Sequence, residues 1–81
     1  MTDFPKYVVF DYEGDAECIV FSPRVTHADV AKNLKVISAG FCCFGIDQNG
    51  DKKITCWGES VSLGVQSNPD DSKLLTKLVD F

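Results

Sequence analysis

The chain lacks any apolar run approaching the ~18 residues that a bilayer-spanning helix needs. No segment reads as a transmembrane helix, and no membrane partner is expected. Basic residues are also in short supply. Eight Lys and Arg stand against twelve Asp and Glu, for a formal net charge of −4. A nucleic-acid binder needs a surplus of cations to replace phosphate counterions, so DNA and RNA are disfavoured as partners. Anionic membrane surfaces are disfavoured for the same reason. The opening Met1-Thr2-Asp3-Phe4-Pro5-Lys6 has no basic stretch leading into an apolar one. It does not read as a secretory signal, and a cytoplasmic setting is expected. In that setting the four cysteines are expected to be thiols. No glycine-rich phosphate loop is present.

What is present suits one small domain, residues 1–81. The chain is 44% hydrophobic and 25% charged, enough apolar mass for a single core. At this length the core is small, and pairing with a second copy is a common remedy.

The order along the chain reads β-β-α-β-β-(β)-α. Tyr7 to Tyr12 and Glu17 to Phe21 are rich in β-branched and aromatic residues, with Gly14 between them. They predict a first hairpin. A turn centred on Gly14-Asp15 would set Phe10 opposite Ile19. Thr26-His27-Ala28-Asp29 is a helix start, with Thr26 and Asp29 spaced as a capping box. A helix over 27–34 would put His27, Val30, Ala31 and Leu34 on one stripe.

Val36 to Gln48 and Asp51 to Trp57 flank Asn49-Gly50, a strong signal for a type I′ hairpin turn. That register would place Cys43 opposite Cys56 and Cys42 opposite Trp57. Val61 to Val65 reads as a short extended segment. Asn68-Pro69-Asp70-Asp71 predicts a final helix capped by Asn68, with Leu74, Leu75, Leu78 and Val79 buried. The fold class is α+β: an antiparallel sheet of two β-hairpins with two short helices.

Several patterns invite a chemical reading. Asp47, Asn49 and Asp51 match the first three ligand positions of an EF-hand loop, but Lys52 replaces its glycine and Gly58 its glutamate. A hairpin turn explains them better. Cys42 and Cys43 are adjacent on a strand and point to opposite faces, which spoils a shared zinc ion. Cys18, Cys43, Cys56 and His27 remain the conceivable set. Cysteines used as small buried apolar residues are the expected reading, with no metal and no cofactor.

A Cys–His catalytic pair would rely on His27, yet no oxyanion or nucleophile motif accompanies it. Gly58-Glu59-Ser60-Val61-Ser62 lacks the final glycine of a nucleophile elbow. No catalytic residue is assigned. Asp11, Glu13, Asp15 and Glu17 alternate around the first hairpin tip and form an acidic end. They could meet Lys or Arg on a partner. His27, Trp57, Glu59 and Ser60 complete the candidate partner-binding residues.

Four fragments resemble a family of small uncharacterised proteins of tailed bacteriophages and prophages. They are Thr26 to Asp29, Ile37 to Phe41, Gly58 to Leu63 and Pro69 to Leu75. The resemblance spans roughly residues 18 to 78. It implies an accessory role in a host cytoplasm and carries no activity with it. The function expected is a non-enzymatic protein–protein interaction module, a phage-encoded accessory protein or a modulator of a host protein. A homodimeric structural or virion-assembly protein is the second reading. A thiol- or metal-dependent enzyme built on His27 and the cysteines is the third.

Overall fold

The structure is a computed structural model and describes residues 4–80. The reading of Met1 to Lys6 as no secretory signal falls partly, at residues 1–3, outside the described residues. Eight elements follow in order. They are β1 (Lys6–Tyr12), β2 (Asp15–Phe21), α1 (His27–Val30), β3 (Lys35–Ile46), β4 (Lys52–Trp57), β5 (Glu59–Ser60), β6 (Val65–Gln66) and α2 (Asp71–Leu78). The first four strands form an antiparallel sheet in the order β2-β1-β3-β4, and β5 pairs with β6 in a separate ribbon. This is the expected α+β class.

Both faces of the sheet are covered. On one, Tyr7, Val9, Cys42 and Ile54 pack under Leu75 of α2, with Cys18, Val20, Cys56, Leu74 and Val79 around them. On the other, Val8 and Ala39 pack under Ala31, joined by Phe10, Phe21, Leu34, Leu63 and Val65. Strand β1 contributes to both, so Tyr7, Val8 and Val9 are all buried. That explains why this run is continuously apolar rather than alternating.

The two hairpins depart from their predicted registers. The first turns on Glu13-Gly14, not Gly14-Asp15, with both residues left-handed at φ 53° and 91°. Phe10 therefore faces Glu17, and Ile19 faces Val8. An Asp11 carboxylate oxygen accepts the Gly14 amide at 3.0 Å and holds the turn.

The second hairpin does not close as a type I′ turn on Asn49-Gly50. Only Gly50 is left-handed there. One Asp47 carboxylate oxygen accepts the Asn49 and Asp51 amides at 2.8 and 2.9 Å, and the Asp47 carbonyl accepts from Gly50. A type I turn with a glycine bulge results, one residue longer than the I′ form. The strands slip by one. Cys42 faces Cys56, Cys43 faces Thr55, and Phe41 faces Trp57. The predicted Cys43–Cys56 pairing is thereby excluded, and all four cysteines are free thiols.

Further expectations need correction, and Leu78, expected in the buried stripe of the last helix, is 38% exposed. The first helix stops at Val30 rather than residue 34, because the chain must turn to enter β3 at Lys35 beside Asp11. Its predicted stripe holds: His27 and Ala31 are buried, Val30 and Leu34 half-buried. Val61 to Gly64 form a turn between β5 and β6, where the Ser60 carbonyl accepts the Gly64 amide at 2.9 Å. Asn68 does not cap α2. Asp70 holds that position with no side-chain bond, and the Asn68 amide instead donates to Asp71.

Asp71, in the first turn of α2, lies off the surface. It is buried and accepts from Tyr7 Oη at 2.5 Å, Ser38 Oγ at 2.9 Å and the Asn68 amide at 2.9 Å. A buried carboxylate with several donors is stable where a bare one would not be. The cluster ties α2 to β1 and β3. Burial, then the Asp71 hydrogen bond, push the Tyr7 phenol well above its ordinary value.

Strand β4 lies at the sheet's edge, yet its outward amides at Ile54 and Cys56 are satisfied. Ile54 N donates to Thr76 Oγ1 at 2.9 Å and Cys56 N to Ser72 Oγ at 2.8 Å. Helix α2 thus lies along the edge and closes it.

Candidate functional site

A groove of about 490 Å³ opens between the start of α1 and the bend from β4 into β5. Lys6, Thr26, His27, Phe41, Trp57, Gly58, Glu59, Val61 and Ser62 line it. The bend is built on Gly58. Its φ is 85°, and a Cβ there would stand 3.0 Å from the Phe41 ring. Both facts require glycine, so the chain folds sharply and carries β5 over the sheet. The groove floor is rigid for a related reason. A Cβ at Gly40 would meet the Trp57 carbonyl oxygen, so β3 and the end of β4 approach too closely for any side chain there.

His27 is held on all sides. Thr26 caps α1 by accepting the Asp29 amide at 3.2 Å. This is the first half of the predicted capping box. His27 itself is 4% exposed, and its Nε2 lies 2.9 Å from the Gly40 carbonyl. A carbonyl only accepts, so Nε2 carries the proton. Phe21 and Phe41 meet the ring edge-on, with centroids 5.4 and 6.0 Å away. His27 therefore serves as a satisfied wall of the groove.

Trp57 stands at the mouth with Phe4 edge-on at 5.0 Å. Val61 projects from the β5–β6 turn and is 87% exposed. At the rim, Lys6 donates from Nζ to the Val25 carbonyl at 3.1 Å, and Glu59 is exposed.

His27, Trp57 and Glu59 come together here, as candidates drawn from sequence. Ser60 does not join them. It is 1% exposed, and its Oγ accepts the Leu63 amide at 3.2 Å, which makes it a brace for the turn. Its neighbour Ser62 lines the groove instead. Sequence reasoning also missed Lys6, Phe41 and Val61. Val61 gives no local signal, because its exposure follows from the turn that replaces the predicted extended segment.

The acidic residues lie at the other end of β1 from Lys6. Their placement is split. Asp11 points to the α2 face with Tyr7 and Val9, whereas Asp15 and Glu17, paired with Tyr12 and Phe10, point to the α1 face. Glu13 sits in the turn. Asp11 is also engaged by the Gly14 amide.

The thiols of Cys18, Cys42 and Cys56 are poorly suited to nucleophilic work. Burial raises Cys42 from 9.0 to about 11 and Cys56 from 9.0 to about 12, and it raises Cys18 as well. A reactive cysteine needs the opposite shift. Among the described residues no group of three or more His, Cys, Asp or Glu side chains could hold a metal ion. No helix among them is long and apolar enough to cross a membrane. Comparison with known proteins finds no matching family, no matching characterised protein and no matching solved structure.

Proposed function

We propose that the chain is a non-enzymatic protein–protein interaction module, and that the groove beside Trp57 receives an apolar side chain of its partner. The observation that carries this reading is the pairing of an exposed Val61 and a half-open Trp57 beside a wall of Phe41 and His27. A large aromatic beside a shallow pocket is the usual anchor of a protein interface. Lys6 and Glu59 supply a polar rim. The raised thiols of Cys18, Cys42 and Cys56 and the satisfied imidazole weigh against a thiol enzyme built on those residues. The resemblance to small phage proteins leads toward the same accessory role.

A photo-crosslinking residue at position 61 tests it. In lysate of the source organism it should form one discrete protein adduct that is lost on Trp57→Asp. The same residue at position 49, on the far hairpin tip, should form none. No adduct at 61, or identical adducts at both positions, would overturn the reading.

A further inference from the structure

The sheet has two outer strands, and α2 closes only β4. Strand β2 is bare. Tyr12 and Asp15 flank a two-residue turn, so they exchange backbone hydrogen bonds, and Glu17, Ile19 and Phe21 likewise face β1. Ala16, Cys18 and Val20 turn their amides and carbonyls outward, and no described residue pairs with them. The strand carries no proline, lysine or bulge, the common guards of an edge.

We propose that a second copy of this chain pairs antiparallel along β2, merging two sheets into one. The strand is centred on Cys18. In full overlap Cys18 meets its own counterpart, and Ala16 meets Val20 of the second copy. The three outward residues then satisfy all their backbone groups. The charges fit this direction. Asp15 falls across from Phe21 and Glu17 across from Ile19, so no carboxylate directly faces another. A parallel pairing would set Asp15 against Asp15 and Glu17 against Glu17, which is unfavourable. The seam extends an existing core. Cys18 and Val20 already pack beside Leu74 and Val79, and Ile19, 37% exposed, gains cover on the opposite face. This seam is independent of the groove reading.

Sedimentation tests it. A single strand seam is a small contact, so association is expected at roughly 10–100 µM. The mass should rise from 8.9 kDa toward twice that value with concentration. Added salt should strengthen the dimer, because each copy carries −4. Cys18→Pro removes an outward amide that the sheet does not use, and should weaken association at least ten-fold. Should that variant fail to fold, amide exchange in the native chain decides. Ala16, Cys18 and Val20 should be protected as concentration rises, and Gly50 should not.

A chain that stays monomeric at ~1 mM overturns the proposal. So does a folded Cys18→Pro variant that dimerises normally, or a dimer whose β2 amides stay unprotected. Salt-weakened capture of a basic extended segment by a monomeric chain would point to a foreign strand instead. Crosslinking at position 61 should be unchanged in Cys18→Pro, so failure here leaves the groove reading standing.

Discussion

The two outer strands of the sheet solve the same problem in opposite ways. Strand β4 hands the outward amides of Cys56 and Ile54 to Ser72 and Thr76, whereas the outward amides of Ala16, Cys18 and Val20 in β2 meet no partner among the described residues. The covered edge depends on a match of spacings. Ser72 and Thr76 are one helical turn apart, about 6 Å along the axis. Cys56 and Ile54 are two strand residues apart, about 6.7 Å. A helix lying along a strand can therefore bond alternate amides with side chains at i and i+4. Hydroxyl groups can close an edge without another strand, and the choice of which edge to close determines where a second chain could join.

The contrast can be broken most severely by releasing α2. Leu75 is fully buried at the centre of its core cluster. Leu75→Ala should cost about 2–5 kcal/mol in urea unfolding. It should also bare β4, seen as concentration-dependent light scattering. A milder attack removes the hydroxyls alone. Ser72→Ala or Thr76→Val leaves the Cys56 or Ile54 amide without its acceptor, at a cost of about 1–3 kcal/mol each. Faster amide exchange should be confined to Cys56 or Ile54.

Alkaline pH acts on the same covered face. Cys42 and Cys56 have folded-state values of about 11 and 12 against an ordinary 9.0. The unfolded chain thus loses these protons first as pH rises. Their contribution is complete below pH 9 and is lost progressively between pH 9 and 12. The urea midpoint should fall across that window. Serine at both positions should flatten the fall. The smallest effect is reserved for the bare strand. Ala16 is exposed and faces Asp11 across the strand pair, so Ala16→Lys should move thermal unfolding by less than about 0.5 kcal/mol.

The fold class was legible because alternation and turn residues are local. The registers were not. Asp11 and Gly14 share the spacing of Asp47 and Gly50, and both turns carry Asp at the first position. Yet one closes on two left-handed residues and the other on one. In the second, Asp47 gathers two amides, and that local bonding outweighs the Asn49-Gly50 preference. A slip of one residue followed, exchanging the cysteine opposite Cys56.

The groove was half legible. His27, Trp57 and Glu59 were singled out separately, and only the Gly58 bend brings them together. The misreading of Ser60 has the same origin, since its direction depends on the turn after it. The hydroxyls of α2 were invisible, because Ser and Thr at helical spacing look like a solvated face until a strand lies beside them.

The Asp71 cluster also has a temporal consequence. Its donors Tyr7 and Ser38 precede it by 64 and 33 residues. A ribosome adding residues in order completes β4 well before α2 is free to dock. For that interval the growing polypeptide presents two unguarded borders rather than one. Synthesis is thus the moment of greatest exposure to wrong neighbours. A translation-arrested chain in which a linker after Gln66 carries β4 out of the exit tunnel should recruit more chaperone than one in which a linker also carries α2 outside, and equal recruitment would refute the idea.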